Sequence, residues 1–478
     1  MKKVLPAACL SSFILLSGQP SIQAVAETTA SIEKDEVVQL TTAEKKQLLW
    51  EVAVEYGIPP EILKAIAQKE TDMTQFNEDG TPYISEDGGI GMMQITLTEE
   101  QQLTSDIDVE RLKTDLRYNI EVGASILKEK WEWDFLPIIN DHDPTVIENW
   151  YFAVMAYNGL SKRNDPNFEE NEPYQEKVFQ SIRENSLLDI KDIPKVDITY
   201  ADPDKPELMT FSVASYDWPE LATQSTQLLT TGDQVYTLNN AASYSYIRHD
   251  VDGEHAGNLP HYTPLEIVSG PFESDNDANH LVYYEVKGNG VDAYISSSNL
   301  QQGNVSVFPD IEDREVAAAV TYLQLKGMIS GHVDGTFKPD DTLLRRHAAS
   351  ILVKALDLKL PEGYKMKATD MEQGELGYDE MVIAEAHGIM GVGGKLRPNE
   401  YLTRSQISSI LARTYTDTYE AATTNVAFID MDDTYWNYED INLLANNGIT
   451  DDQAFRPEDD VTRAEFSLFL KRTLTLEK

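Results

Sequence analysis

The last third of this 478-residue chain repeats with a period of about 60 residues, which restricts its fold more than any single motif does. Asp310, Asp370 and Asp430 are 60 residues apart. Three similar segments follow them at 59-residue steps: FKPDDTLLRR, LRPNEYLTRS and FRPEDDVTRA. Each segment contains an arginine at the same place: Arg345, Arg404 and Arg463. This register predicts three helix–loop–helix units, with the arginine in the first turn of each second helix.

The N-terminus has the pattern of a secretory signal. Lys2 and Lys3 precede an apolar stretch over residues 4–16, and residues 24–26 (AVA) offer a small-residue cleavage site. We therefore expect residues 1–26 to be removed on export, which leaves an acidic tether at 27–40. The only cysteine, Cys9, lies in this signal, so disulfides, cysteine peptidases and cysteine-ligated zinc sites are excluded for the mature chain. No other segment is long and apolar enough to span a membrane.

The charge balance excludes one class of partner. The chain has 81 acidic and 39 basic residues, a formal net charge of −42, whereas phosphate recognition needs a basic surface. We therefore expect no nucleic-acid partner. Hydrophobic residues make up 41% of the chain, which is ordinary for folded protein, so the acidity does not predict wholesale disorder.

The rest of the chain divides into a helical and a β-rich region. From residue 41 to 186 the apolar spacing is helical, and Thr41 and Glu44 have the spacing of a capping box. Residues 187–206 mix Pro and Asp with short apolar runs, which predicts a linker. Residues 207–302 are rich in Val, Tyr, Thr and Ser between turns that contain Gly and Asn, which predicts a small β domain.

Glu70 is the candidate for acid–base chemistry. Pro60 is suited to the first turn of a helix in which Leu63, Ile66 and Glu70 share one face. Leu63 and Ile66 should be buried, which places Glu70 at the edge of an apolar surface near the C-terminal end of the helix. Desolvation and the negative end of the helix dipole both raise a carboxyl pKa there, as a general acid requires. From this spacing alone, an ordinary solvated helix residue is the simpler interpretation.

The surroundings of Glu70 change that interpretation. Four segments are involved: residues 60–70 (PEILKAIAQKE), 85–94 (SEDGGIGMMQ), 119–127 (NIEVGASIL) and 156–159 (AYNG). In this order they resemble the motifs of lysozyme-like lytic transglycosylases. The resemblance covers residues 41–186 and implies an all-α lysozyme-like domain with Glu70 as the catalytic acid. The chain departs from the usual motifs at Thr71, Gly89, Met92 and Leu160, none of which removes a reacting group.

By this resemblance the substrate is the glycan strand of peptidoglycan. Glu70 would protonate the oxygen between N-acetylmuramic acid and N-acetylglucosamine, then act as base while the muramoyl 6-hydroxyl closes a 1,6-anhydro ring. The substrate's own acetamido group would stabilise the reacting carbon, an exception to the scheme with two carboxylates. Ser85, Gln94 and Tyr157 match positions that hold the sugar and its N-acetyl group. Met93 is expected to line the cleft, and Asn158 to shape the neighbouring loop.

Two alternatives remain open. Five acidic residues crowd the loop region after Glu70: Asp72, Glu78, Asp79, Glu86 and Asp87. Any of them could position a water and produce a hydrolytic muramidase with inverting geometry, although a solvated acidic loop is the simpler interpretation. The chain could also be a structural wall-binding protein with an inactive lysozyme-like domain. In each case we expect no cofactor and no metal ion.

The β-rich region ends in a second recognisable pattern. Residues 283–300 (YYEVKGNGVDAYISSSNL) resemble the closing hairpin of bacterial Src-homology-3-like domains, with Ala293 where Gly is usual. The resemblance implies a small β-barrel at 207–302. Such a domain would bind wall peptides or serve as a spacer.

The repeated units resemble S-layer homology domains. They span residues 305–360, 365–420 and 425–474. Residues 331–339 (GHVDGTFKP) in unit one and 461–465 (VTRAE) in unit three are close to the family's motifs. Unit two lacks the opening Phe, and unit one has 344–347 (LRRH) in place of the usual Thr-Arg-Ala-Glu. The resemblance implies an α-helical bundle with pseudo-threefold symmetry and grooves between the units.

The resemblance also implies a ligand for these grooves. Arg345, Arg404 and Arg463 would grip an anionic, often pyruvylated, secondary wall polysaccharide, because a guanidinium can bind a carboxylate through two parallel hydrogen bonds. The alternative is that they pair with acidic residues of the protein itself. Residues 305–478 carry 18 basic and 30 acidic side chains, so long-range attraction cannot draw them to an anionic polymer. We therefore expect a secreted protein held at the cell wall by local arginine contacts, with retention that depends weakly on salt.

Overall fold

The computed structural model describes residues 40–168, 170, 172–303, 305–391 and 394–476. The predicted signal at 1–26 and residues 27–39 of the predicted tether lie outside the described residues. From Leu40 onward the chain forms a helical region, a curled antiparallel sheet and a second helical region.

The N-terminal region is helical, as the apolar spacing predicts. Its helices are α1 (Thr42–Tyr56), α2 (Pro60–Thr71), α3 (Glu99–Thr104), α4 (Val109–Thr114), α5 (Leu116–Trp131), α6 (Tyr151–Tyr157) and α7 (Tyr174–Asn185), with 3₁₀ turns at Glu148–Trp150 and Lys162–Asn164. Thr41 and Glu44 form the predicted capping box at the start of α1. Helix α2 buries Leu63 and Ile66 completely, and Glu70 lies in its last turn.

The segment after α7 packs along the helical region. We call residues 188–221 the strap. The strap residues buried in the same apolar core as the helices are Leu188, Ile190, Val196 and Met209. Its strand pairings are parallel between β1 (Ile138–Ile139) and β4 (Ser215–Tyr216), and antiparallel between β2 (Ile198–Thr199) and β3 (Thr210–Phe211). The sequence predicts a linker at 187–206 and a β domain from 207, whereas these contacts place residues up to 221 on the helical region. Apolar side chains scattered among Pro and Asp become buried here because the chain runs along an apolar surface.

The middle of the chain forms a curled antiparallel sheet. Its strands are β5 (Gln234–Thr237), β6 (Tyr244–Arg248), β7 (His255–Pro260), β8 (Pro264–Glu273), β9 (Val282–Gly288), β10 (Val291–Ser296) and β11 (Leu300–Gln302). They are hydrogen-bonded in the order β11-β5-β8-β9-β10-β6-β7. In the predicted closing hairpin, β9 and β10 pair from Gly288 opposite Val291 to Tyr283 opposite Ser296. The β-rich character of this region is confirmed, and its identity as a Src-homology-3-like barrel stays a prediction.

Buried charges join the sheet to α2. Lys64 on α2 forms an ion pair with Glu273 on β8, with 2.5 Å between Nζ and Oε1, and both side chains are almost fully buried. Glu61, one turn earlier, accepts hydrogen bonds from the Ser225 hydroxyl and the Thr226 backbone N–H. Burial raises the pKa of the Glu61 and Glu273 carboxyls. Contacts that are shielded from water therefore hold α2 against the residues that lead into the sheet and against the sheet itself.

The C-terminal region is helical and its units contact one another in a ring. Its helices are α8 (Arg314–Leu325), α9 (Arg345–Ala355), α10 (Tyr378–Ala386), α11 (Arg404–Thr414), α12 (Tyr438–Asn446) and α13 (Arg463–Leu474). The backbone N–H of Leu343 donates to the carbonyl of Val461 at 3.0 Å. Val461 in turn donates to Leu402 at 2.8 Å, and Leu402 donates to Leu343 at 3.1 Å. These bonds link unit one to three, three to two and two to one.

The 60-residue period has a direct structural basis. In each unit the repeated aspartate accepts backbone N–H bonds from two consecutive residues, namely Phe337 and Lys338 on Asp310, Leu396 and Arg397 on Asp370, and Phe455 and Arg456 on Asp430. The second residue of each pair has a positive φ, of 56°, 51° and 55° respectively. A left-handed backbone is uncommon for residues other than glycine, so the carboxylate bonds hold a turn that the chain would not otherwise prefer.

We predict that Lys64→Met lowers the free energy of unfolding of the full chain by about 3–5 kcal/mol, because it leaves Glu273 buried without its cation. Urea denaturation provides the measurement. Lys359→Met breaks the exposed pair with Asp357 and should cost less than about 1 kcal/mol. The double variant K64M/E273L should recover most of the lost unfolding free energy, because it removes both charges. A double variant as unstable as Lys64→Met would rule out the unpaired charge as the cause.

Candidate active site

Glu70 lies where α2 and α7 meet at a cleft. Its Oε1 accepts a hydrogen bond of 2.6 Å from the Tyr174 hydroxyl, and the carboxyl lines the cleft. Tyr174 is the first residue of α7, and Pro173 before it suits the start of a helix. This bond occupies Oε1 and leaves Oε2 available to a partner in the cleft.

The environment of Glu70 favours its protonated form. Burial raises the pKa of the Glu70 carboxyl, the Tyr174 hydrogen bond and the charge of Arg163 lower it in part, and Asp87 adds to the rise. Burial also raises the pKa of Tyr157 and Tyr174, so both phenols are neutral hydrogen-bond donors. A carboxyl with a raised pKa and an exposed oxygen can deliver a proton to a substrate in the cleft.

Two buried amides hold the loop that carries the second motif. The Gln75 side-chain oxygen accepts the Met92 N–H at 2.8 Å, and the Asn119 oxygen accepts the Met93 N–H at 2.9 Å. Between them Gly91 has a φ of 67°, and a Cβ there would lie 2.4 Å from the Asn119 amide nitrogen. Glycine suits this turn, because a Cβ would meet the side-chain amides of Asn119 and Gln75 and because the φ is positive.

Sequence reasoning assigned no role to Gln75, Asn119 or Tyr174. The sequence offers one clue to Asn119, because it is a polar residue next to Ile120 on the buried face of α5, where a polar side chain needs a hydrogen-bond partner. Gln75 stands in a stretch without such periodicity. Tyr174 precedes Val178 and Ile182 at four-residue steps, a spacing that predicts a helix but no partner for the hydroxyl. Thr71 replaces the usual Ser of the family and donates its hydroxyl to the Met92 carbonyl at 3.0 Å, so the replacement retains a hydroxyl that binds this loop.

Gln94, Tyr157 and Asn158, predicted from the motifs, line the cleft together with Glu70. The Tyr157 hydroxyl donates to the Met93 carbonyl at 3.0 Å. The Asn158 side-chain oxygen accepts hydrogen bonds from Arg163 and Asn164, each at 3.1 Å. Asn158 is therefore bonded within its own loop.

Met93 and Ser85 make their contacts within the protein. Met93 is fully buried and packs so closely on Gly123 that a Cβ there would lie 2.8 Å from the Met93 Cβ. The Ser85 hydroxyl donates to Asp87 Oδ1 at 2.6 Å and accepts the Gly89 N–H at 3.0 Å. Contact of either residue with a sugar stays a prediction, and both support the loop that lines the cleft.

Asp87 is the member of the predicted acidic loop that lines the cleft. Hydrogen bonds, above all from the Ser85 hydroxyl, lower the pKa of its carboxyl. Asp72 instead ends α2 in a left-handed conformation and bonds to Gln68. Asp87 is therefore an ionised carboxylate beside a carboxyl that tends to stay protonated.

The cleft has a volume of about 1120 Å³ and extends well beyond Glu70. One part of its lining contains Trp133 and Phe135, whose rings stack with 4.9 Å between centroids. The Lys130 ammonium lies 3.8 Å from the Trp133 ring centroid. Another part contains Leu160 and strap residues 208–211. This size suits a ligand of several linked rings rather than a single small molecule.

The predicted wall-polymer arginines Arg404 and Arg345 are both buried. Arg404 is 1% exposed and forms ion pairs with Asp452 at 2.5 Å and Glu465 at 2.6 Å. The Arg345 guanidinium donates to the Leu396 carbonyl at 2.7 Å and to Gln406 at 3.3 Å. Pairing with local acids, the alternative raised by the sequence, is therefore what Arg404 does in this structure.

Arg463 has a different environment. Its half-buried guanidinium donates to the carbonyls of Phe337 and Ser330 in unit one and lies 4.3 Å from the Phe337 ring centroid. Within the described ranges it forms no ion pair with a carboxylate. Burial and the charges of Arg346, Arg463 and His332 lower the pKa of His347. Arg463 and Arg346 therefore lie near each other where unit three meets unit one, and the carboxylates of Asp341 and Asp310 also act on Arg463.

The part of the chain that the structure describes contains no group of three or more His, Cys, Asp and Glu side chains arranged to hold a metal ion. In the same part, no helix is both long and apolar enough to cross a bilayer.

Comparison with known proteins identifies two regions. The family model described as Transglycosylase SLT domain matches residues 48–179, which include Glu70. The model described as S-layer homology domain matches residues 427–467, which include Arg463. This second match covers unit three, and units one and two stay predictions.

Among curated proteins the chain is similar to S-layer proteins and to an amylopullulanase. It is 31% identical over 172 residues to S-layer protein sap of Bacillus anthracis, and the aligned segment covers 35% of this chain and 21% of that protein. An S-layer protein of Bacillus thuringiensis subsp. finitimus is 30% identical over 172 residues, with the same coverage of 35% and 21%. An amylopullulanase of Thermoanaerobacterium thermosulfurigenes is 23% identical over 235 residues, 44% of this chain and 13% of that protein. The chain spans about a fifth of the length of the S-layer proteins, and it combines a transglycosylase SLT domain with an S-layer homology domain.

Proposed function

We propose that this protein is a cell-wall-anchored lytic transglycosylase that cleaves the N-acetylmuramic acid–β-1,4–N-acetylglucosamine bond of peptidoglycan. The observation that carries the proposal is the half-buried Glu70 carboxyl, which belongs to the transglycosylase SLT domain, lines a long cleft and has a raised pKa. The bonding of Oε1 to Tyr174 directs the proton to Oε2. The carboxyl is thus prepared to act as an acid before substrate arrives.

Cleavage uses Glu70 twice. As acid, it transfers its proton to the glycosidic oxygen while the bond from the muramoyl C1 breaks, and N-acetylglucosamine leaves with a free 4-hydroxyl. The carboxylate then takes the proton of the muramoyl 6-hydroxyl while that oxygen bonds to C1, which closes the 1,6-anhydro ring and restores the acid. The substrate acetamido group stabilises the positive charge at C1 between these steps. Gln94 and Tyr157, which line the cleft beside Glu70, hold the sugar.

Hydrolysis by a muramidase mechanism is the second candidate, and Asp87 favours it. Asp87 is an exposed, ionised carboxylate in the same cleft, and its charge acts on Glu70. An inverting enzyme needs such a base to deprotonate a water on the opposite face of the sugar. The two mechanisms differ in their products, because hydrolysis leaves reducing ends instead of anhydro ends.

Glu70→Gln should reduce the lysis of purified peptidoglycan by at least about a hundredfold, because the amide cannot deliver the proton. Loss of turbidity measures lysis. Mass spectrometry of the wild-type digest distinguishes the three alternatives, because a transglycosylase leaves anhydro ends, a muramidase leaves reducing ends and an inactive wall-binding protein leaves no cleavage products. Glu86→Gln makes the same charge change at an exposed neighbour of Asp87 and should leave lysis unchanged. Retained lysis in the Glu70 variant would disprove the assignment. Asp87→Asn should reduce lysis only if the wild-type enzyme produces reducing ends, because Asp87 is the base of the hydrolytic mechanism alone.

Tyr174→Phe should move the alkaline limb of the pH profile of kcat/KM to higher pH. The Tyr174 hydroxyl stabilises ionised Glu70, so its removal raises the Glu70 pKa further. Since the acid is active when protonated, activity then persists to higher pH. Tyr151→Phe removes a comparable bond, to Glu176, and should leave the limb in place. A limb that stays fixed or moves to lower pH in the Tyr174 variant would contradict this role.

We further propose that units one and two are S-layer homology domains like unit three, and that the bundle binds an anionic secondary wall polysaccharide. The equivalent aspartate bonds in each unit and the ring of backbone contacts support one architecture for all of them. Arg463 is the best placed of the arginines, because its guanidinium is half-buried rather than buried, forms no ion pair within the described residues and lies near His347 and Arg346. The middle sheet, which resembles a Src-homology-3-like domain, acts as a spacer bonded to α2 or binds wall peptides.

Arg463→Gln should weaken retention on purified wall sacculi by about tenfold or more, because it removes a guanidinium that can bind a carboxylate. Arg397→Gln makes the same charge change at an exposed residue paired with Glu400 and should retain binding. Wild-type retention should fall little with added salt, and deletion of residues 305–478 should abolish it. Equal retention of both point variants would exclude Arg463 as the anchor contact.

A further inference from the structure

Part of the substrate cleft lies outside the segment that resembles transglycosylases. The family match ends at residue 179, yet Leu208, Met209, Thr210 and Phe211 line the same cleft as Glu70. These four residues belong to the strap, which the sequence alone assigns to a linker and a separate β domain. The catalytic cleft is therefore completed by a part of the chain that the transglycosylase motifs do not contain.

The strap is held firmly at both ends of this lining. The Met209 N–H donates to the Leu160 carbonyl at 3.0 Å, which ties the strap to the loop that follows Asn158. Farther along, the Ile138 N–H donates to the Ala214 carbonyl at 3.1 Å within the β1–β4 pairing. A wall fixed in this way is formed before substrate binds, so little conformational entropy is lost on contact with a ligand.

The strap surface in the cleft is apolar. Leu208 and Phe211 are half-buried, and Phe211 packs edge-on against Phe152 at 5.5 Å between ring centroids. Phe135, which is 56% exposed, lines the same cleft. Exposed apolar side chains gathered in a cleft are typical of ligand-binding surfaces, and the C–H faces of sugar rings suit them.

We infer that the strap is a substrate-binding element, in which Leu208 and Phe211 contact a saccharide unit of the glycan strand away from the cleaved bond. The inference rests on the proposed function, because that function makes the glycan strand the ligand of this cleft. A contact remote from the reacting carbon acts on substrate and transition state alike, so it lowers KM and leaves kcat unchanged. The strap thereby gives the enzyme a preference for strands long enough to reach it.

The test uses full-length protein with the E70Q substitution, so that glycans bind without cleavage. Disaccharides and octasaccharides prepared from peptidoglycan are the probes, and calorimetry measures their dissociation constants. Leu208→Asn should weaken octasaccharide binding by about five- to tenfold and leave the disaccharide unchanged. Leu187→Asn is the matched control, since Leu187 is 54% exposed, lies outside this cleft and has a φ of 54°, which Asn tolerates.

The outcomes separate this inference from the proposed function. Equal losses for both glycans, or unchanged octasaccharide binding in the Leu208 variant, would overturn the role of the strap. Phe211→Ala should show the same dependence on length, with its thermal midpoint measured because Phe211 packs on Phe152. If wild-type protein cleaves peptidoglycan and binding is independent of length, the proposed function stands and this inference falls. Absence of both cleavage and binding would instead remove the proposed function itself.

Discussion

The buried ion pair between Lys64 and Glu273 connects α2, the helix that carries Glu70, to the central sheet, and the geometry of the cleft depends on that helix. Lys64 lies on α2 six residues before Glu70, so any displacement of α2 from the sheet also displaces Glu70. A dry ion pair adds little net stability, but separation of its members leaves a buried charge without a partner. Arrangements in which α2 leaves the sheet are therefore disfavoured. Tyr174 adds a second restraint at the other end of the helix.

The active site combines two carboxyls whose environments separate their proton affinities. Glu70 is half-buried and its pKa is raised, whereas Asp87 is exposed, accepts the Ser85 hydroxyl, and its pKa is lowered. The negative charge of Asp87 also disfavours ionisation of Glu70. Such a separation is what a proton donor and an anion in one cleft would require. The buried amides of Gln75 and Asn119 then hold the loop that presents Gln94 to the same cleft.

The C-terminal units show that a repeated motif need not produce equivalent sites. The same arginine begins the second helix of each unit, but Arg404 forms ion pairs with Asp452 and Glu465, while Arg463 donates to backbone carbonyls. In an acidic chain this difference matters, because long-range attraction to an anionic polymer is absent. The three arginines therefore differ in how far carboxylates of the described residues compensate their charge.

Much of the local structure follows from the sequence. The capping box at Thr41, the apolar face of α2 and the position of Glu70 in its last turn depend on neighbours within a few residues, which periodicity and capping patterns encode. The 60-residue register likewise reflects aspartate bonds repeated within each unit. The closing hairpin of the sheet was also readable, since its strands are adjacent in the chain.

Contacts between distant segments were decided by the tertiary structure alone. Tyr174 reaches Glu70 across 104 residues, Lys64 reaches Glu273 across 209, and Arg404 reaches Asp452 across 48. A polar residue far along the chain leaves no periodic trace of the partner it will meet. The strap is the largest such case, because its Pro- and Asp-rich sequence reads as a linker until the apolar surface beneath it is known. The sequence thus determined which residues could perform the chemistry, and the packing of remote segments decided which of them share a cleft and which charges stay unpaired.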